Sequence, residues 1–112
     1  MTESRFAALD CLNAVFQDNA YANLVLPKLL TESKLDSRDT GFAQELAFGT
    51  IRWKLTYDRI LQEVSSRPID SIDLGLLNCL RLGTHQLLNT RVPAHAAISE
   101  TVNLVRMQCG EK

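Results

Sequence analysis

One seam constrains this chain more than any other feature. Phe42, Leu46, Gly49, Trp53, Tyr57, Ile60 and Val64 follow one another at steps of three or four residues, the spacing that lines side chains along one face of an α-helix. No two-residue alternation of the kind that marks a strand interrupts it. Asp36 stands where an N-cap belongs, and Asp39 falls in the first turn, where a negative charge complements the helix dipole. Ser65-Ser66-Arg67-Pro68 closes the seam, because proline lacks an amide to donate and crowds the turn before it. The pattern predicts one helix about 40 Å long that crosses the whole domain. A break at Gly49-Thr50 is the alternative.

The rest of the chain has the same period. Phe6, Leu9, Leu12 and Phe16 form a stripe on a first helix from about Ser4 to Gln17, with Asp10, Asn13 and Gln17 opposite. Val25, Leu26, Leu29 and Leu30 mark a shorter second helix ending near Glu32. Its Pro27 belongs in the first turn or kinks the helix. The fourth helix, from about Ser71 to Asn89, is apolar nearly all round, as a central helix must be; only Asn78, Arg81, His85 and Asn89 share a polar edge. A fifth helix opens at Pro93, a natural first-position proline, and runs to about Cys109, with Gly110 as its stop. The expected fold class is therefore all-α, with about five helices in a single domain over residues 1–112.

Bulk properties narrow the function classes. A chain of 112 residues, 46% apolar and 22% charged, suits one ordinary globular domain whose core needs neither disulfide nor metal. No apolar run approaches the roughly 20 residues of a membrane span, and Met1-Thr2-Glu3-Ser4-Arg5 opens straight into the first stripe without a signal-peptide core. Cys11, Cys79 and Cys109 are odd in number and widely spaced, as expected of reduced thiols in a cytoplasmic protein. Net charge is −1, but it is unevenly placed: residues 1–50 carry four basic and seven acidic side chains, residues 51–112 eight and six. Six of those eight are arginines, whose planar fork suits phosphate.

Catalytic signals are lacking. The five glycines are scattered and build no phosphate-cradling turn. Cys11 and Cys79 lie in apolar helical settings, where a thiol is inert. His85 and His95 have no cysteine or carboxylate at ligand spacing, so no metal site is expected. The chain by itself is not expected to be an enzyme.

Individual residues carry two readings each. Gly49 inside the apolar seam costs about 1 kcal/mol of helix propensity relative to alanine. Close approach of another helix is the usual compensation, with Gly83 as a candidate counterpart. Glu45, Arg52 and Arg59 are spaced seven apart along one helix edge. For Arg52 an ion pair with Glu45, extended to Glu100, is favoured over phosphate contact, because a buried arginine is seldom unpaired. For Arg59, Arg81 and Arg91, phosphate contact and an ordinary solvated edge stand level. Trp53, Tyr57 and Phe48 are able to stack on bases, but Trp53 and Tyr57 fall on the seam, where core packing is favoured. A partly buried, satisfied role is favoured for His85.

Three blocks occur in order: Glu45-Leu46-Ala47-Phe48-Gly49-Thr50-Ile51-Arg52, Leu80-Arg81-Leu82-Gly83-Thr84-His85-Gln86-Leu87-Leu88, and Val92-Pro93-Ala94-His95-Ala96-Ala97-Ile98-Ser99-Glu100-Thr101-Val102. Together they resemble the NusB-like RNA-binding domain. The first block resembles the Glu-Leu-x-Tyr-Gly-Thr-x-Arg signature of the copy at the N-terminus of bacterial ribosomal RNA small subunit methyltransferases B, the Sun/Fmu type that forms 5-methylcytosine. Phe48 replaces the tyrosine of that signature, His85 stands where tyrosine is usual, and Ser99 stands where asparagine is usual.

The resemblance implies a NusB-like helical bundle whose C-terminal closing helix is absent. It implies an N-terminal fragment of a larger methyltransferase, with S-adenosylmethionine held in a domain outside this chain and no cofactor in the chain itself. It implies ribosomal RNA and the protein's own catalytic domain as partners. It places Arg5 in the helix that the family uses for RNA, against the plain reading of a surface charge, and carries Glu45, Gly49, Arg52, Gly83, Pro93 and Glu100 over as motif positions. A missing closing helix would bare apolar surface on the fourth helix and favour a dimer. A free-standing antitermination factor that regulates transcription, and a helical protein-interaction module, are the competing functions.

Overall fold

The computed structural model describes residues 2–110; Met1, Glu111 and Lys112, expected within the single domain, lie outside the described residues. Six α-helices follow in order: α1 (Thr2–Asp18), α2 (Ala22–Ser33), α3 (Ser37–Arg52), α4 (Lys54–Ser65), α5 (Leu74–Asn89) and α6 (Ala94–Cys109), with a 3-10 turn at Ile69–Ser71. Among the described residues there is no strand, and no helix is long and apolar enough to cross a membrane. α5 is central, packing on α1, α3, α4 and α6. The core gathers Ala8, Leu9 and Leu12 of α1, Leu26 and Leu30 of α2, Ala43, Leu46 and Ala47 of α3, Leu82 of α5 and Leu104 of α6.

Several helix ends follow the sequence. Asp36 caps α3 by accepting from the Asp39 amide at 2.8 Å. Gly110 ends α6 at φ 79, in the region that glycine enters without strain. The start of α5 differs from the expectation: Asp73 accepts from the Leu76 amide at 3.1 Å and begins the helix at Leu74, while the chain before it turns tightly at Ile69–Ser71. Pro27 sits in the second turn of α2, because the helix begins at Ala22, earlier than its apolar pattern suggests.

The long seam is where the structure corrects the sequence. The single 40 Å helix is two, and the break lies at Trp53, beyond the Gly49-Thr50 alternative. Trp53 takes φ −101, ψ 14, the sparsely populated bridge between helix and strand. Its amide still donates to Gly49 O at 3.1 Å, and its carbonyl accepts from Tyr57 N at 2.9 Å, so the kink leaves both flanking turns bonded. Leu46, Gly49 and Tyr57 stay buried, but Trp53 is 45% and Val64 79% exposed. The physical reason lies in α5. Beyond the turn at Trp53, α4 packs against it.

The two motif glycines serve different neighbours. A methyl group on Gly49 would run into the His85 ring of α5, and one on Gly83 would run into Thr101 of α6. They are not counterparts across a single contact. Each admits a side chain, not a helix backbone.

Candidate RNA interface

Asn78, Arg81 and His85 on the polar edge of α5 turn inward, Asn89 stays exposed, and the edge organises two hydrogen-bonded networks. In the first, the Arg81 guanidinium donates to both carboxylate oxygens of Asp58 on α4, at 2.7 and 2.9 Å, and to Asn78 Oδ1 at 2.9 Å. The Asn78 amide donates to Asn13 Oδ1, and the Asn13 amide to Gln108 Oε1, both at 2.9 Å. Lys54 closes the far end on Asp58 at 3.2 Å, and the Arg81 guanidinium lies 4.9 Å from the centre of the Phe16 ring. Every charge in this network has a partner within the protein.

The second network starts one helical turn later. Asn89 donates to the Tyr57 hydroxyl at 2.6 Å; that oxygen lies 2.7 Å from His85 Nδ1, and His85 Nε2 lies 3.0 Å from Glu45 Oε2. A neutral imidazole satisfies the whole chain when Tyr57 O–H donates to Nδ1 and Nε2–H donates to the carboxylate. His85 and Tyr57 are each 1% exposed, but the Glu45 side chain is 58% exposed. Burial raises the Tyr57 pKa, with the Glu45 charge adding to the rise and the Asn89 bond opposing it. This network therefore leads from the core to a carboxylate at the surface.

Arg5 stands beside the second network. It donates to Gln86 Oε1 at 2.7 Å and lies 5.2 Å from the centre of the Phe42 ring. Burial lowers its pKa, and the negative charge of Glu100 opposes that shift. Glu45, Asn89 and Phe42 then meet Thr90, Arg91 and Val92 around an apolar concavity of about 360 Å³.

These positions redistribute the sequence-derived candidates. Arg81 is 2% exposed and doubly bonded to Asp58, so it belongs to the internal framework and presents nothing to a phosphate. Arg5, at 6% exposure, is held inside by Gln86 and Phe42 and is not a surface charge. The expected ion pair between Arg52 and Glu45 does not form: Glu45 bonds His85, and Glu100 acts on Arg5. Arg52 is exposed, as are Arg59 and Arg91, and none of the three has an ion-pair partner among the described residues. Arg59 lies beside Asp58 and Glu63, which weakens its pull on an anion. Pro93 precedes α6, its carbonyl accepting from Ala97 N at 2.9 Å. Phe48 and Trp53 reach the surface, at 38% and 45% exposure, while Tyr57 is core. Asp58 and Phe42 were missed as partners; one lies 23 residues from Arg81, the other 37 from Arg5, and neither separation leaves a spacing signal.

The first motif block divides cleanly. Leu46, Ala47, Gly49 and Thr50 are buried, whereas Glu45, Phe48 and Arg52, spaced three and four apart, are exposed on one face of α3. The inward half is packing, and the outward half faces solvent, with Glu45 tied back to His85. A family model, the NusB family, matches residues 2–112. The chain belongs to the NusB family. It is 50% identical over 99 residues to a Mycobacterium tuberculosis protein named for methyltransferase activity, covering 88% of this chain and 22% of that protein. Proteins named ribosomal RNA small subunit methyltransferase B, from Pseudomonas putida and Pseudomonas syringae pv. tomato, are 43% and 40% identical over 98 residues, covering 88% of this chain and 22% and 21% of theirs. This NusB-family chain thus spans about a fifth of the length of the relatives it matches. No solved structure matches it.

Cys11 and Cys79 are buried, their thiols pushed up to about 11 and about 12 by burial, which keeps them protonated and unreactive. Among the described residues no group of three or more histidine, cysteine or acidic side chains is placed to hold a metal ion.

Proposed function

We propose that this chain is an RNA-binding module that grips small-subunit ribosomal RNA and helps position a cytosine for carbon-5 methylation. The catalytic domain, with its S-adenosylmethionine, would lie in a longer protein. The observation that carries this reading is the 43% identity to a protein named ribosomal RNA small subunit methyltransferase B over nearly the whole NusB-family domain. The exposed Arg91 on a concavity walled by Phe42, with Arg52 exposed further along α3, fits such a role, because arginine binds phosphate and aromatic rings accept unpaired bases.

The test is a salt titration of binding between this chain and fragments of small-subunit ribosomal RNA, read by fluorescence anisotropy. Phosphate contacts by Arg52 and Arg91 on single-stranded RNA predict a log–log slope of roughly −1.4. Arg52→Ala and Arg91→Ala should each flatten that slope. Binding that is flat across the titration, or no binding at low salt, would overturn the reading and leave a protein-interaction module in its place.

A further inference from the structure

We infer that Glu45 heads a base-selective subsite for an unpaired nucleobase carrying an exocyclic amine. The inference rests on the RNA-binding reading and deepens it. The concavity of about 360 Å³ is walled by Phe42 and Val92 and edged by Glu45, Asn89 and Arg91. Its size lies within the range of small-ligand pockets. A ligand that fits must offer flat apolar faces, hydrogen-bond donors and a negative charge together, which is the chemistry of a nucleotide.

The donor-seeking side is built in. His85 Nε2 holds Glu45 Oε2 at 3.0 Å, and Oε1 has no partner among the described residues. Asn89 gives one amide N–H to Tyr57, which leaves its Oδ1 as a second acceptor beside its remaining N–H. Thr90 adds no donor, since its hydroxyl already bonds Gln86 O at 2.7 Å. The charged acceptor of the concavity is therefore Glu45 Oε1, with Asn89 adding one neutral acceptor and one neutral donor. Cytosine and adenine present an amine, and guanine presents two adjacent N–H groups. Uracil presents one N–H flanked by two carbonyl oxygens, which a carboxylate repels. Arg91 supplies the phosphate contact, and Arg5 braces the Phe42 ring from within the fold at 5.2 Å.

Glu45 is well suited to test this, because its side chain is 58% exposed and Glu45→Gln keeps its shape. Labelled octamers of cytidine and of uridine would be titrated against the full chain at fixed low salt. The wild type is expected to bind the cytidine octamer at least about fivefold more tightly, the scale of one good polar base contact. Glu45→Gln, whose amide both donates and accepts, should bring the two octamers within about twofold of each other. Arg91→Ala should weaken both alike, and a thermal melt of each variant would check the fold. Equal wild-type affinities, or a cytidine preference that survives in Glu45→Gln, would overturn the subsite and leave RNA binding standing. No binding of either octamer would overturn the subsite, while the salt titration on ribosomal RNA fragments decides the RNA-binding reading.

Discussion

Arg81 and His85 lie one turn apart on the same edge of α5, both almost fully buried, yet the networks they head behave differently. The Arg81 network is closed in that each of its charges is answered within the protein, by Asp58, Asn78, Asn13, Gln108 and Lys54 in turn, even where it reaches the surface at Gln108. The His85 network is open, ending on a Glu45 carboxylate that is more than half exposed with one oxygen unused. A closed network can only hold the fold together. An open one also fixes the direction of a group at the surface. Motif residues of the same apparent type thus divide into framework and surface according to where their last partner sits.

The largest expected effect tests the closed side. Arg81→Met should lower stability by about 3 kcal/mol, because Asp58 loses its bidentate partner while 13% exposed. Urea unfolding measures this, and RNA affinity per folded molecule should be unchanged. A loss below about 1 kcal/mol would show that the network is not closed in solution.

Gly49→Ala should cost about 2 kcal/mol, since its methyl group meets the His85 ring and the packed core cannot make room. The double variant with His85→Ala would recover part of that loss if the collision is its cause. Strict additivity would place the strain elsewhere.

Tyr57→Phe opens the second network at its middle, stranding His85 Nδ1 and the Asn89 amide, and should cost about 1 kcal/mol. It also has a pH signature. The Tyr57 pKa is raised in the fold, so its contribution is full below the unfolded value near 10 and is lost as pH rises through the higher folded value. Cys11 and Cys79 lose theirs in the same sense between 9 and about 11 or 12. Wild-type stability should therefore fall above pH 9, and its gap from Tyr57→Phe should narrow above pH 10. A gap constant to the highest pH would refute the Tyr57 contribution.

The smallest expected effect lies in α3. Thr50 Oγ1 is buried with no hydrogen-bond partner. Thr50→Val keeps the shape and removes the orphan, so it should raise stability by up to about 1 kcal/mol. A loss instead would mean that a water satisfies the hydroxyl.

Local signals in the chain carried most of the architecture. The Asp36 cap, the Gly110 stop and the nearly all-round apolarity of α5 each act within a few residues, and each holds in the fold. The interface was less legible. Nothing in the spacing of Glu45 and Arg52 tells that one faces His85 and the other solvent, and nothing near Arg81 points to Asp58, 23 residues earlier. The Arg81–Asp58 pair depends on the turn at Trp53, beyond which α4 packs on α5; the unbroken seam conceals it, because helical periodicity survives one residue in a bridge conformation.

The sequence by itself determined the class of fold, the family motifs, the central place of α5 and the inertness of the two buried cysteines, because periodicity, capping and apolar surroundings are local properties of the chain. The tertiary structure alone decided which arginines are framework and which face outward, and that a buried histidine orients a surface glutamate. Those outcomes hang on the angle at which two helices meet across a third, and a shift of one helical turn exchanges one partner for another.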